Sequence, residues 1–328
     1  MSDISRDLAK EVLIRVPLTS LRAVRLTCKN WNEVSKDGSF IKKHIDEAKK
    51  KQVMNEFEMI IMMNCKIYLM SVDLHSNVDP SITLKESLTA GVLLCITRYL
   101  KSSLVVWNPY FGETRWIQPR DRYHYWDNYA LRYDEKKKKY KILRFVANSN
   151  AYRVEERICE FELYSFESDS WKVVFDVTPE WEIEFNRRGL SVKGNTYWYA
   201  TERRGLDVNL LICFDFTTEK FGPRLPLSFN ASVDIVTLSN VGEEQFAVLF
   251  QNFDTLRMEI WVTSKVEPTE ISWNKLFLAV DMTPFIGFEY VTNDGSFFID
   301  LKKNVAVVFY EDFDASYTRG IAYIIGNN

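Results

Sequence analysis

At about 150 residues per domain, the 328-residue chain has the length of two domains. Its 46% apolar and 27% charged residues suit a globular protein with ample core, and only 12 glycines, none adjacent, exclude collagen-like, glycine-linked and disordered chains. The net charge of −3 divides unevenly. The first 51 residues hold twelve Lys/Arg against seven Asp/Glu, and the remainder 30 against 38. A basic head thus precedes an acidic body, and the head is expected to meet an acidic partner.

The longest apolar runs, such as residues 59–63, fall far short of the about 20 residues a membrane span needs. The opening residues carry charge where a signal peptide is apolar. An intracellular location, nucleus and/or cytoplasm, is therefore expected, with no membrane partner. The five cysteines, Cys28, Cys65, Cys95, Cys159 and Cys213, are scattered and odd in number, as in a reducing compartment. His44, His75 and His124 show no zinc spacing, so no metal is expected. The sequon at Asn230-Ala231-Ser232 is read as chance in a chain without a secretory signal.

The first fifty residues predict four short helices. Ser5 caps the first, with Asp7 in its first turn and Leu8, Val12, Leu13 and Val16 at helical spacing. Pro17 ends it. Thr19 or Ser20 restarts the chain, with Leu18, Leu21 and Val24 apolar. Cys28, Trp31 and Val34 mark a third helix that stops at Asp37-Gly38, and Ser39 caps a fourth carrying Phe40, Ile41, His44 and Ile45. Four short helices bury too little of this surface by themselves, so the surplus must pack on the rest of the chain or on a partner.

These residues carry a resemblance. Asp7-Leu8, Glu11-Val12-Leu13, Arg15-Val16-Pro17, Ser20-Leu21, Arg25, Cys28-Lys29 and Trp31 are similar to the F-box pattern over about forty residues, with Ile4-Ser5 where F-boxes usually open on Leu-Pro. The resemblance implies docking onto an acidic Skp-type adaptor and, through it, a cullin ubiquitin ligase. It gives Leu8, Val12, Leu13, Pro17, Leu18, Leu21, Cys28 and Trp31 as the adaptor-binding set, and a division into an F-box at 1–50 and a substrate-recognition domain at 51–328.

Past residue 50, period-two alternation predicts paired strands. Tyr129, Leu131 and Tyr133 alternate before a turn over 134–139. Cys159, Phe161 and Leu163 alternate before a turn at Glu167-Ser168-Asp169, and Trp171, Val173 and Phe175 follow it. Hairpins are expected at Gly194-Asn195 and Asn293-Asp294-Gly295. Tyr133 and Tyr140, Tyr164 and Trp171, and Phe214 and Phe221 each stand seven residues apart across a polar turn; Trp107 with Trp116 and Trp261 with Trp273 are looser versions. Tyr164, Phe214, Trp261 and Phe309 follow one another at 50, 47 and 48 residues. That period predicts a small all-α head followed by an all-β domain, a degenerate β-propeller of about six blades. There is no Gly-Gly pair of the kelch kind, and the one Trp-Asp, Trp126-Asp127, lies outside the repeat. A β-sandwich is the alternative.

A narrower family is also resembled. Val105-Val106-Trp107-Asn108-Pro109 with Gly112, Thr114, Arg115 and Trp116, then Tyr129-Ala130, Tyr133-Asp134 and Tyr140-Lys141-Ile142-Leu143-Arg144, then Gly194-Asn195-Thr196-Tyr197-Trp198 and Ile212-Cys213-Phe214-Asp215-Phe216 resemble blocks of the plant F-box-associated interaction domains, type 1. The resemblance implies a protein-substrate receptor.

Catalysis is not expected. Gly-x-Ser-x-Gly, the phosphate-binding Gly-x-x-x-x-Gly-Lys and any Gly-x-Gly are absent, and no cofactor is expected. Glu155-Glu156 and Glu243-Glu244 read as solvated turns, and residues 136–139 as a hairpin tip. Arg122, Tyr123, Tyr125 and Trp126, interleaving aromatics with Arg, are the candidate substrate-binding residues. Such a segment can hold protein or stack nucleotides, or pack between blades. Trp181 with Arg187 and Arg188 is a second candidate surface, read foremost as structural. The leading function is a substrate-recognition subunit that raises the concentration of a protein substrate beside the conjugating enzyme; nucleic acid is not its expected partner. The alternative is a protein- or RNA-binding propeller module outside any ligase, acting through residues 120–133.

Overall fold

The computed structural model describes residues 5–16, 18–52, 56–63, 66–73, 81–85, 93–96, 104–108, 113–121, 127–134, 139–147, 159–175, 179–183, 187–202, 209–227, 235–242, 244–252, 255, 257–281, 296–313 and 318–326. Four helices open the chain: Arg6–Leu13 (α1), Leu18–Arg25 (α2), Lys29–Lys36 (α3) and Gly38–Gln52 (α4). Ser5 caps α1 as expected, its Oγ accepting from the Leu8 amide at 3.3 Å. The fourth helix is capped by Asp37 and not by Ser39. The Asp37 carboxylate accepts from the amides of Ser39 (3.0 Å) and Phe40 (3.3 Å), and a carboxylate suits the positive helix start better than a hydroxyl. The Ser39 hydroxyl, with these amides, holds Asp37 below the ordinary carboxylate range.

All further elements are strands, in six antiparallel sheets among the described residues. Sheet I is Glu56–Met63 (β1), Lys66–Asp73 (β2) and Ser81–Lys85 (β3); sheet II is Leu93–Ile96 (β4), Leu104–Asn108 (β5) and Glu113–Ile117 (β6). Sheet III is Asn128–Asp134 (β7), Lys139–Ala147 (β8), Cys159–Ser165 (β9) and Ser170–Phe175 (β10), paired in that order. Sheet IV has Trp181–Glu182 (β11) and Leu190–Val192 (β12) sharing one side of Asn195–Glu202 (β13). Next comes Asn209–Asp215 (β14), flanked by both Lys220–Phe221 (β15) and Leu225–Pro226 (β16). It therefore also has four strand positions, the outer two broken. Sheet V is Ile235–Val241 (β17), Gln245–Asn252 (β18), Arg257–Glu267 (β19) and Glu270–Asp281 (β20); sheet VI is Ser296–Asp300 (β21), Val305–Phe313 (β22) and Thr318–Gly326 (β23). Two compact units result, Met1–Tyr123 with the helices and sheets I and II, and His124–Asn328 with sheets III to VI.

In the second unit, consecutive sheets stack face to face. Phe145, Phe161 and Leu163 of sheet III meet Trp198 and Phe214 of sheet IV. Tyr197, Tyr199 and Leu211 on the other face of sheet IV meet Phe246 and Val248 of sheet V. Leu249, Met258 and Ile260 then meet Phe297 and Val308 of sheet VI. Side chains alternate across a strand, so neighbours such as Tyr197 and Trp198 serve opposite interfaces. Rings meet edge to face, Phe145 with Trp198 at 4.9 Å and Phe161 with Phe221 at 4.8 Å, the arrangement their quadrupoles favour.

The seven-residue aromatic spacing becomes cross-strand pairing: Tyr133 opposes Tyr140, Tyr164 opposes Trp171, and Phe214 opposes Phe221. The looser pairs do not oppose one another. Trp107 faces Thr114, and Trp273 faces Thr263 across a strand with bulges. Among the described strands, Tyr164, Phe214 and Trp261 occupy the third of their sheets, while Phe309 occupies the second of sheet VI, so the period does not keep one strand position throughout. Tyr164 and Phe214 are buried, but Trp261 is half-buried, its indole donating to Glu259 at 3.1 Å.

Turn chemistry explains how the sheets form with so little glycine. Three hairpins have four-residue loops whose last residue is left-handed: Asp169 (φ 50), Glu219 (φ 57) and Asn304 (φ 56). At each, the residue closing the first strand, Ser165, Asp215 or Asp300, accepts the amide two positions on. Asp and Asn tolerate this backbone better than other non-glycine residues. The sharper hairpin is centred on Lys193-Gly194, one residue before its expected place. Both have positive φ (48 and 84) and Val192 pairs with Asn195, the two-residue turn whose twist matches the strands. The expected hairpin at Asn293-Asp294-Gly295 lies outside the described residues.

Polar contacts tie sheet III to sheet IV at the turn after β14. Lys141, buried, donates to the Phe216 carbonyl and the Glu219 carboxylate, both at 2.9 Å, and Lys172 pairs with the other Glu219 oxygen. Burial pushes the Glu219 carboxyl up, but the two lysines outweigh it and hold it below the ordinary range. Stability from Glu219 is therefore complete above the unfolded carboxyl's pKa and lost as pH falls through the lowered folded value. Glu219→Gln should flatten that acidic arm of a Tm-against-pH curve; an unchanged acidic arm contradicts the linkage. Phe214→Ala should cost about 3–5 kcal/mol. Trp261→Ala should cost less, since its ring is half-exposed; thermal unfolding of the two variants ranks them.

Candidate functional site

The helical head is the best-defined candidate. Helix α1 has two faces. Ala9 and Leu13 turn inward with Leu21, Val34 and Phe40 to make the head's core, edged by Ile14, Val16, Val24, Trp31 and Ile41. Leu8 and Val12, one turn apart on the other face, are 51% and 43% exposed.

Buried polar contacts fix the helices around this core. Arg25 is buried and donates through Nε to Ser35 Oγ at 2.9 Å and through Nη2 to the Ser35 carbonyl at 3.3 Å, joining α2 to α3. His44 stacks on Phe40 and donates through Nε2 to the Val16 carbonyl at 2.8 Å, closing α4 onto the end of the first helical segment. Neither role was visible from the helical stripe, because both partners are backbone or small hydroxyl groups without periodicity.

The adaptor set from the sequence is therefore divided. Leu8 and Val12 are at the surface. Leu13 and Leu21 are fully buried and would support such a surface from within. Cys28 is exposed and caps α3, its Sγ accepting from the Trp31 amide at 3.4 Å. Trp31 is half-buried against the core. Leu18 begins α2, and Pro17 lies outside the described residues. Sequence reasoning missed Leu26, 83% exposed just after α2; its place within the Arg25-to-Cys28 motif was the available signal.

Arg122, Tyr123, Tyr125 and Trp126 lie outside the described residues, but the chain resumes at a firm anchor. Asp127 is buried and takes two hydrogen bonds from Arg144, at 2.7 and 2.9 Å, and one from the Tyr129 hydroxyl at 3.1 Å. Glu162 binds the other side of the Arg144 guanidinium at 2.9 Å. Burial pulls the Arg144 pKa down; Asp127, Tyr129 and Glu162 outweigh it and hold the guanidinium charged. One guanidinium on β8 thus faces two carboxylates, Asp127 just before β7 and Glu162 on β9.

The second candidate surface is used for packing. Arg187 is buried, donates to the Val236 carbonyl at 3.0 Å and lies 4.8 Å over the Tyr199 ring. Trp181 packs against Phe161 and Phe221. Arg188 is exposed and reaches Ser296 at 3.3 Å. Among the described residues no group of three or more His, Cys, Asp or Glu is placed to hold a metal, and no helix is long and apolar enough to cross a membrane. The buried Cys213 thiol is pushed up to about 12, chiefly by burial, with Tyr197 acting against the rise, and is inert as a nucleophile at neutral pH.

Residues 1–43 match the F-box domain, and residues 58–328 match the F-box associated beta propeller domain. Similar curated proteins are from Arabidopsis thaliana. F-box protein At5g42460 is 60% identical over all of this chain and 90% of its own length; F-box protein At2g17830 is 60% identical over 100% and 91%; F-box/kelch-repeat protein At3g16740 is 49% identical over 99% and 91%.

Leu13→Ala should destabilise the head by about 2–5 kcal/mol through the cavity it leaves. Hydrogen exchange of the α1 to α4 amides reads this, and exchange in sheets III to VI should stay unchanged.

Proposed function

Because the chain belongs to the F-box proteins that carry a C-terminal F-box-associated β domain, we propose that it is the substrate-recognition subunit of a Skp-cullin-F-box ubiquitin ligase. The observation that carries this reading is the union of the two parts over the whole length, shared with relatives matched along nine-tenths of theirs. An F-box serves to connect a chain to the adaptor and cullin; the β domain joined to it is then the part that selects. The protein does no chemistry of its own and acts by holding a protein substrate at high effective concentration beside the conjugating enzyme. We place the functional division at residue 50 and read the six sheets as the blades of one propeller. Its location follows that of the ligase, nucleus and/or cytoplasm.

At residue level, Leu8 and Val12 meet the Skp-type adaptor directly, with Pro17, Leu18, Cys28 and Trp31 beside them, while Leu13 and Leu21 hold the helices that present them. The basic balance of the head favours an acidic adaptor. Arg122, Tyr123, Tyr125 and Trp126 are the substrate-contacting residues, chosen for their interleaved aromatic and Arg side chains.

Replacing both Leu8 and Val12 by Glu places charge on an exposed apolar face and leaves the buried core untouched. Co-purification with a Skp-type adaptor should fall about tenfold or more while the Tm stays within about 2 °C, because surface substitutions cost little stability. Undiminished recovery of adaptor and cullin by this variant rejects the assigned face. Failure of the wild-type chain to bind any Skp-type adaptor rejects the ligase reading and leaves a binding module outside it.

A further inference from the structure

Among the described residues of the first unit, the exposed large apolar side chains are Leu8, Val12, Leu26 and Trp116. The first three belong to the helical head, and Trp116 belongs to β6 of sheet II. Trp116 is 59% exposed and stands opposite Val105. Trp107, half-buried, is its diagonal neighbour on the same sheet face, since Trp107 opposes Thr114. Ile117, next in the strand and on the other face, is buried. One face thus anchors the end of β6, while the indole on the other is left largely in solvent.

Two ion pairs bring β6 beside the first turn of α1. Lys36, the last residue of α3, stands 3.9 Å from Glu113, the first residue of β6. Asp37 follows Lys36 and binds Arg6, the first residue of α1, at 3.2 Å. From these anchors Leu8 lies about 3 Å further along the α1 axis, and Trp116 about 10 Å further along β6.

A stable interface buries about 800 Å² on each partner. Leu8, Val12 and Leu26 supply only part of such an area, and tryptophan is prominent among the side chains that anchor interfaces. We infer that the adaptor seated on the α1 face extends past the head and covers the Trp116 ring, so that sheet II forms a second part of the adaptor interface. An apolar side chain of the adaptor packs on the indole. Charge agrees with this occupant. Lys36, its side chain 49% exposed, lies between the two parts, and an acidic adaptor is drawn to it. The inference rests on the ligase reading and deepens it, since sheet II is then held to the ligase by direct contact as well as through the head.

The test measures the affinity of the full-length chain for a purified Skp-type adaptor and adds photo-cross-linking from position 116. Trp116→Ala should weaken adaptor binding about tenfold or more, with little change in Tm because the ring is exposed. Trp116→Phe should recover part of the affinity. A full-length chain carrying benzoylphenylalanine at position 116 should cross-link to the adaptor on irradiation. Equal affinity of Trp116→Ala and wild type, or no cross-link to the adaptor, overturns the inference. A cross-link to a second copy of the chain under saturating adaptor also overturns it. Should Trp116→Ala unfold the chain, the cross-link decides. If wild type binds the adaptor, the Leu8 and Val12 double substitution abolishes that binding and Trp116→Ala leaves it unchanged, the ligase reading stands and this inference alone falls. If wild type binds no Skp-type adaptor, both fall.

Discussion

Burial of the central strands on both faces is the constraint from which the second unit follows. A sheet with one wet face needs an apolar residue at every second position. A sheet pressed between two others needs one at nearly every position, and β13 and β14 meet that demand with Tyr197 to Ala200 and Leu210 to Phe214. Large rings fill two interfaces from one strand: Trp198 serves one side while Tyr197 and Tyr199 serve the other. Close packing of this kind leaves no room at certain glycines. A Cβ on Gly189 would lie 2.4 Å from the Trp198 indole, and one on Gly222 would lie 2.6 Å from the Pro268 carbonyl. These glycines serve close approach, while the left-handed ends of the four-residue loops fall to Asp169, Glu219 and Asn304.

Several polar groups in this interior are held by closely fitted partners. The Asp127–Arg144–Glu162 cluster pairs one cation with two anions inside sheet III. Thr263 shows the same economy without charge. Where β19 bulges away from β20, the Thr263 hydroxyl accepts from the Phe246 amide at 3.0 Å and donates to its carbonyl at 2.9 Å. One side chain thereby satisfies both backbone groups of Phe246, just past the last β18–β19 pair, Ala247 with Val262. Lys141 is held by a carbonyl and a carboxylate together. Such groups cost stability if left unmatched, and Lys141 in this way ties sheet III to sheet IV.

Much of this was legible in the sequence for identifiable reasons. The aromatic pairs around polar turns register strands directly, because a four-residue loop places residues seven apart opposite one another, and Tyr164 with Trp171 and Phe214 with Phe221 obey it. The first helix was readable from Ser5 and the spacing of Leu8 and Leu13. Which face of it turns inward was not, because Leu8 and Leu13 look equivalent as letters; only the packing against Phe40 and Val34 separates them. The turn at Lys193-Gly194 was misplaced by one residue because the pattern shows the glycine but not which side of it the chain reverses. Arg187 reads foremost as structural in the sequence, but its partners are not legible there: they are the ring of Tyr199 and the Val236 carbonyl, 49 positions away.

The order of strands has a consequence for how the protein is made. Among the described residues each sheet takes its strands from one stretch of chain, and apart from β11 with β13 and β14 with β16 the paired strands are neighbours in sequence. Loops to be closed are therefore short, and their entropic cost is small. Among the described residues the helices precede the sheets, and the strands of each sheet emerge together before those of the next. In the second unit the half-made chain exposes the sheet face that the next sheet will cover. Synthesis itself then acts as a scheduler, matching each newly emerged surface with the segment that follows it and limiting the time during which a sticky face is available to other nascent chains.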